Sequence, residues 1–394
     1  MGVGLADFSA RRILITSEFE SRFGAFPSVW VRAPGRVDLM GSHTDYNEGF
    51  VLTMSIDRDT WIAARPKADR VATIYSLDAA GGGSFNLDDI QSDAVSPWTN
   101  YVRGVAKVFQ DEGYALQGFD GLIQSTIPLG SGVSSSAALE VATAVLLRAL
   151  GGWDIDPLKL ALLGQRAENE FVGVRCGILD QYSSALGRAG HTLLLDCRQL
   201  TSEARPLAKG LAIVVGDTRA RRQLTASSYE ERRAECEEGA GRLAELNPGV
   251  SALRDVSLDQ LLAHRDALPE VILRRCRFVI EEDARVREMA AALESGERES
   301  IRRAARESYV GARDLFEIVS PEMENMIEAM NRSPGVIGAR QAGAGFGGCM
   351  VAVVEADQVE PFLEHVKREY SSATGLEPMV YPVYPAEGAG LLEE

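Results

Sequence analysis

Apolar residues recur along this chain in two rhythms. Short runs rich in β-branched and aromatic residues predict strands at Val29–Arg32, Phe50–Ser55, Thr60–Ala64 and Leu193–Asp196. Apolar positions at helical spacing predict helices over Tyr101–Asp111, Ala137–Leu150 and Pro157–Phe171. The polar stretch TSEARPLAKG, Thr201–Gly210, predicts a boundary. Beyond it LAIVVGD reads as a buried strand and Ser228–Leu246 as a charged amphipathic helix. Ser300–Phe316 and Glu322–Asn331 predict further helices, the second with Pro321 just ahead. Met350–Val354 and Met379–Val383 read as strands, and no internal repeat or low-complexity linker interrupts the pattern.

Between these elements lie three runs that the periodicity does not explain. The first is PLGSGVSSSAALE, Pro128–Glu140. Gly130 and Gly132 let the backbone turn tightly, and Ser131, Val133, Ser134, Ser135 and Ser136 lead into strong helix-forming sequence. A helix N-terminus offers unpaired N–H groups and the positive end of the macrodipole, which suit a polyanion such as ATP phosphate. No Lys precedes a Ser or Thr here, so the run is not a Walker-type loop. A Ser-rich helix cap after a turn accounts for the run equally well.

The second run, RAPGRVDLMGSHTDYNEGFVLTMSID from Arg32 to Asp57, packs Arg36, Asp38, His43, Asp45 and Asn47 into a Gly-punctuated stretch. Such density suits a polyhydroxy ligand, while an Asx-rich turn between two strands would also explain it. The third, GARQAGAGFGGCM from Gly338 to Met350, sets five glycines ahead of the apolar VAVVEA.

In this order the three runs resemble the galactokinase branch of the superfamily of galactokinase, homoserine kinase, mevalonate kinase and phosphomevalonate kinase (GHMP). A fourth block, ENEFVGVRCGILDQYSSALGRAGHTLLLDCR from Glu168 to Arg198, is similar to the corresponding galactokinase segment. The resemblance spans about Arg32 to Ala352. It implies a two-domain α+β fold with an N-terminal α+β domain, a C-terminal ferredoxin-like α+β domain and the active site in the cleft. The expected division is residues 1–205 and 206–377, with 378–394 returning to the first domain.

Composition agrees with a cytoplasmic enzyme of two domains, given 394 residues, 45% hydrophobic and 25% charged. A net charge of -16 argues against nucleic acid or an anionic membrane as partner. The odd count of five cysteines fits reduced thiols better than a disulfide framework. No apolar run is long enough to span a bilayer, and the N-terminal residues lack the apolar core of a signal peptide. A monomer is expected.

The resemblance implies an ATP-dependent sugar 1-kinase with Mg2+ as cofactor, small-molecule sugar and ATP being its partners. Asp180 in GILDQ matches the acidic residue that contacts the anomeric hydroxyl, and Arg36 in PGRVDLMG the active-site arginine. Asp180 could instead simply start a helix, and Arg36 could form a structural ion pair. Whether that carboxylate removes the proton or positions the hydroxyl stays open. By motif match Ser136 and Glu168 are the metal ligands, and the backbone from Gly130 to Ser136 holds phosphate. Trp98 and Tyr101 in PWTNYVRG are candidates for the adenine pocket, or ordinary core aromatics. For the sugar the matches are Ser42, His43, Asp45, Gly177 and Tyr229, while Gly343, Gly345, Gly347 and Gly348 serve as scaffolding.

Two departures bear on the substrate. The family usually reads GRVNLIGEHTDYN, whereas this chain has Asp38 for the Asn and Ser42 for the Glu. That Glu reaches the sugar's position-six hydroxyl in galactokinases, a contact that a serine loses. Kinases for L-arabinose and galacturonate also carry small residues there, so these sugars stand as alternatives to galactose. A catalytically silent sugar sensor is the alternative of another class, opposed by the joint presence of Arg36, Ser136, Glu168 and Asp180.

Overall fold

A mixed sheet and an antiparallel sheet carry the molecule, and the computed structural model describes residues 5–128, 130–220 and 225–392. The first half contains α1 (Leu5–Phe23), β1 (Val29–Met40), β2 (Phe50–Pro66), β3 (Val71–Ser76), β4 (Gly82–Asn86) and α2 (Thr99–Asp111). It continues with β5 (Phe119–Ser125), α3 (Ser135–Gly151), α4 (Pro157–Ala167), α5 (Leu179–Leu186), β6 (His191–Asp196) and β7 (Thr201–Pro206). The second half contains β8 (Leu211–Asp217), α6 (Thr225–Leu246), α7 (Leu258–Ala263), α8 (Glu270–Ser295), α9 (Arg298–Asp314) and α10 (Pro321–Asn331). After these come β9 (Val336–Ala342), β10 (Cys349–Glu355), α11 (Val359–Thr374), β11 (Met379–Val383) and β12 (Gly390–Leu391).

The first sheet runs β12-β1-β2-β5-β3-β4, with β6 pairing β2 and β7 pairing β6. The two expected strands Phe50–Ser55 and Thr60–Ala64 are one continuous β2. It pairs β1 along most of its length, β6 through Phe50–Thr53 and β5 through Thr60–Pro66. Strand β1 outruns its expected end at Arg32 and shifts register between Pro34 and Arg36 and again between Asp38 and Met40. Arg36 and Asp38 keep their ladder partners Ser55 and Thr53 and stand next to these irregularities, which are of the kind found beside active sites. The apolar helix α3 is buried from Ala137 to Leu147 in the core of this half. Each large apolar side chain it buries contributes about 1.5–3 kcal/mol.

The second sheet runs β11-β8-β10-β9, all antiparallel. With helices between β8 and β9, a β9–β10 hairpin and α11 before β11, this is the ferredoxin-like connectivity expected. Pro157 and Pro321 each open a helix at N1, where a missing N–H costs nothing, behind the capping side chains of Asp156 and Ser320.

Three further expectations change, and one helix was not expected. The polar stretch from Thr201 is strand β7, paired to β6, before the chain crosses to the second sheet. The helix expected over Pro157–Phe171 ends at Ala167 and continues as a π-helical turn, Glu168–Val172. The return to the first sheet begins after residue 378, because Met379–Val383 is an edge strand of the second. From Ala386 onward the chain lies along β1, β2 and α5: Ala386 N donates to Ser55 O, Gly388 N to Gly187 O and Leu392 N to Trp30 O. The long helix α8 escaped the pattern because charges occur all around it, with Arg275, Glu282, Asp283 and Arg285 buried.

Candidate active site

The serine loop enters α3 through an unusual residue. Ser134 occupies the N-cap position at φ 63° and ψ 53°, and its side chain caps no helix amide. Its hydroxyl donates instead to Asp180 Oδ2. The plain capping role is thereby set aside for Ser134. Gly130 and Gly132 also take positive φ, and Ser131 Oγ closes the turn on Pro128 O at 2.7 Å. The carbonyls of Gly132 and Val133 accept from Arg36 Nη1 and Arg36 N at 2.8 and 3.1 Å. Among the described residues the amides of Gly132, Val133, Ser134 and Ser135 have no hydrogen-bond partner. Such an arrangement can receive phosphate oxygens.

Arg36 comes from β1 and Asp180 from the first turn of α5, 144 residues apart in sequence. Arg36 Nε and Nη2 both reach Asp180 Oδ1, at 2.7 and 2.6 Å. The guanidinium is nearly buried, while the Asp180 side chain is 30% exposed. One carboxylate oxygen is therefore held by Arg36 and the other by Ser134, and the group faces the open site. It can orient a hydroxyl and accept its proton.

Glu168 lies where α4 loosens into the π turn, a distortion frequent at functional sites. Its Oε2 accepts from Gln181 Nε2 at 2.7 Å and from the Cys176 thiol at 3.2 Å. The Ser136 hydroxyl also lies within hydrogen-bonding reach of this carboxylate. Burial, then the nearby Asp180 charge, raises the Glu168 carboxyl above its ordinary range. Behind it, fully buried Glu140 accepts from the same Gln181 Nε2 at 2.8 Å, and burial pushes it well up too. Ser136 and Glu168 offer a hydroxyl and a carboxylate, hard oxygen donors of the kind that Mg2+ takes while retaining waters. Among the described residues no three His, Cys, Asp or Glu cluster as a metal cage. A cation here would complete its shell from phosphate and water.

Near Asp180 stands Asp45, whose Oδ1 accepts from Tyr46 N at 2.9 Å. Burial, with Asp180 and Asp38 nearby, pushes its carboxyl up to about 6. Asp45 lies directly over Gly177: a Cβ there would stand 1.7 Å from Asp45 Oδ2. Tyr229, on α6, closes this side with its ring 5.3 Å from His43 and 5.7 Å from Tyr46. Burial, then the Asp45 charge, drives the Tyr229 phenol well above its ordinary range.

Two sugar candidates, His43 and Ser42, are buried with their side-chain polar atoms engaged within the protein. His43 Nε2 meets Ala344 O at 3.1 Å, so this nitrogen must be the donor, and Nδ1 accepts from Tyr46 O–H at 2.8 Å. Both nitrogens are satisfied within the protein, and burial lowers the imidazole to about 4, keeping it neutral. Ser42 is 2% exposed. Its hydroxyl donates to Asp38 Oδ2 at 2.6 Å and accepts from Arg340 Nη2 at 2.9 Å. The expectation that Ser42 faces the ligand gives way to a buried link between β1 and β9.

Trp98 and Tyr101 stand one turn apart at the start of α2, half-buried against the first core. The Trp98 indole donates to Ala80 O at 3.0 Å, and Tyr101 is pushed up to about 12 by burial and by Glu168. The glycine run Gly343–Gly348 passes beside Asp38 and Arg36: Gly343 N donates to Asp38 Oδ2 at 3.3 Å, and a Cβ on Gly343 would stand 3.7 Å from Arg36 Nη2. At Gly345, φ +81°, a Cβ would meet Ile318 O at 2.6 Å, so only glycine fits. Sequence reading missed Gln181, Glu140, Tyr46 and Arg340 as members of the site. All four sit in blocks already singled out, Gln181 one residue after Asp180, Glu140 four after Ser136, Tyr46 one after Asp45 and Arg340 in the glycine run.

Comparison with known proteins places these residues in a family context. Residues 17–66 match the galactokinase galactose-binding signature, 100–188 the GHMP kinases N terminal domain and 289–372 the GHMP kinases C terminal domain. The chain is 44% identical over 376 residues to a galactokinase of Roseiflexus sp. (strain RS-1), covering 95% of this chain and 96% of that one. It is 42% identical to a galactokinase of Chloroflexus aggregans, covering 93% and 94%. Lactococcus lactis galactokinase complexed with galactose superposes with a TM-score of 0.93 at 33% identity, over 96% of this chain and 99% of that one. A mevalonate kinase shares the fold alone, at a TM-score of 0.62 and 17% identity.

Proposed function

We propose how this chain, which belongs to the galactokinase family, phosphorylates galactose: the γ-phosphoryl group of ATP passes to the anomeric hydroxyl, and Asp180 takes the proton. The observation that carries the mechanism is the half-exposed Asp180 carboxylate, gripped by Arg36 and Ser134 at the mouth of the serine loop. Asp180 orients the hydroxyl, and the attacking oxygen gains nucleophilicity as the proton shifts to the carboxylate. The bond from the γ-phosphorus to the bridging oxygen breaks, and ADP leaves. Arg36, besides fixing Asp180, lies where it can stabilise charge on the transferring group.

The free amides of the loop and the start of α3 hold the phosphates. Ser136 and Glu168 would hold Mg2+, which supplies charge neutralisation at the phosphates when bound. Gln181 and the Cys176 thiol keep the Glu168 carboxylate turned inward. Asp45, over Gly177, accepts from the sugar's adjacent hydroxyls, and Tyr229 walls the pocket. Trp98 and Tyr101 flank the base. We further propose a cytoplasmic monomer, a reading supported by the acidic charge and five thiols with no disulfide among the described residues.

A coupled ADP-release assay across galactose, L-arabinose, galacturonate, glucose and mevalonate tests the function. Galactose-dependent, magnesium-dependent release is expected. Release with mevalonate or with galacturonate in place of galactose would refute the assignment.

A further inference from the structure

Arg340 is a buried guanidinium that the proposed chemistry does not use. It sits on β9, is 1% exposed, and is among the largest fully buried side chains of the chain. Nε donates to Ser308 Oγ at 3.0 Å, and Nη2 donates to Ser42 Oγ and to Glu282 Oε1, both at 2.9 Å. Nη1 lies 3.6 Å from Asp38 Oδ1, and neither atom has a hydrogen-bond partner. Burying an ion pair rarely stabilises a fold beyond what well-packed apolar groups would give, so stability alone is a poor reason for this cation.

Its partners suggest another reason. Asp38 Oδ2 accepts from Ser42 Oγ at 2.6 Å and from Gly343 N at 3.3 Å. Glu282 Oε1 accepts from Gly41 N at 3.2 Å. The guanidinium therefore joins β1 and the 41–44 turn to α8, α9 and the glycine loop at 343. One residue further along each of those two segments, His43 donates to Ala344 O at 3.1 Å. His43 takes φ 67°, a conformation that needs outside support in a residue with a Cβ. Two residues beyond it stands Asp45.

We propose that Arg340 is a positioning residue for the sugar half of the site. It acts through Ser42 and Asp38 to hold the 41–45 turn, and hence Asp45, against the 343–345 loop. The proposal rests on Asp45 being a sugar contact.

The test compares Arg340→Met, Arg340→Lys, Asp38→Asn and Ser42→Ala with the parent, reading KM for galactose, KM for ATP, kcat and Tm. Arg340→Met should raise KM for galactose by about tenfold or more, the worth of one charge-assisted hydrogen bond, while KM for ATP stays within about twofold. Arg340→Lys should recover part of that loss, and Asp38→Asn and Ser42→Ala should move the same ratio in the same direction. A fall in Tm with an unchanged ratio of the two KM values would mark a merely structural residue and overturn the proposal. Should Arg340→Met fail to fold, Asp38→Asn and Ser42→Ala decide, and galactose KM values equal to the parent's in both would overturn it. A parent enzyme that turns over no galactose would defeat the function and this proposal together, a result visible before any variant is made.

Discussion

A single methyl group at residue 177 should separate sugar binding from nucleotide binding. In Gly177→Ala the new Cβ would stand 1.7 Å from Asp45 Oδ2 and 2.3 Å from Asp45 Cγ. Ordinary contacts begin near 3.4 Å, so the carboxylate must withdraw by well over 1 Å. That displacement breaks the 2.9 Å bond from Tyr46 N to Oδ1, which fixes the carboxylate's orientation. A hydrogen bond to a charged group is worth about 1.5–3 kcal/mol, so losing one good contact to the sugar raises its KM by about 10- to 100-fold. The serine loop and Glu168 are untouched, so KM for ATP should stay within about twofold. Steady-state ADP release with each substrate varied in turn gives both constants. A cycle with Asp45→Ala sharpens the test: once the carboxylate is gone, the added methyl has nothing to displace and should be nearly silent. Wild-type KM for galactose in Gly177→Ala, or a full additive loss in the double variant, would refute the reasoning.

Other consequences can be checked in parallel. Asp180→Asn and Arg36→Ala should each lower kcat by about a hundredfold or more while nucleotide affinity, measured by calorimetry, changes far less. Near-parental turnover in Asp180→Asn would remove it from the proton-accepting role. Glu168→Gln and Ser136→Ala should each raise the magnesium concentration needed for half-maximal activity, and identical titrations in both would refute the ligand assignment. Asp45, raised to about 6 when folded, binds its proton more readily than in the unfolded chain, so it adds stability as pH falls from 6 towards 4. Asp45→Asn should therefore lose stability relative to the parent across that window, by up to about 3 kcal/mol in urea melts; a constant gap would contradict the shift. Ser42→Glu adds a carboxylate beside Asp38 and Glu282 around one Arg340, so it should lower Tm on its own and do so less in combination with Asp38→Asn.

Much of the site was legible because its residues cluster in sequence. Arg36, Asp45, Ser134 to Ser136, Glu168 and Asp180 stand in dense polar blocks between apolar elements, and the structure gathers them around Asp180 and Glu168. What escaped was set by contacts distant in sequence. Nothing near Ser42 announces that Arg340, 298 residues away, takes its hydroxyl lone pair. Nothing near His43 reveals that Ala344, 301 residues away, accepts from its Nε2. Local pattern misled at Glu168, where helical spacing continues while the backbone widens into a π turn. It failed at α8, whose apolar stripe is masked by Arg275, Glu282 and Asp283 turned inward to partners on other elements and by Arg285 paired to Glu282 within the helix.

The strap at residues 385–392 has a consequence for how the enzyme comes into being during translation. It seals β1 at its outer edge, and Gly388 lies so close to α5 that a Cβ would meet Ala185 O at 2.5 Å. Ala389 N donates to Ser184 O, and Arg32 Nη1 grips the carbonyls of Glu387 and Gly388. Helix α5 is the one that presents Asp180. A nascent chain that has already emitted every residue of the proposed chemistry still lacks the buttress behind its base. It also carries an open sheet edge ready to pair with a neighbouring chain. Competence for catalysis and protection from edge-to-edge association therefore arrive together, once residues 385–392 have left the ribosome.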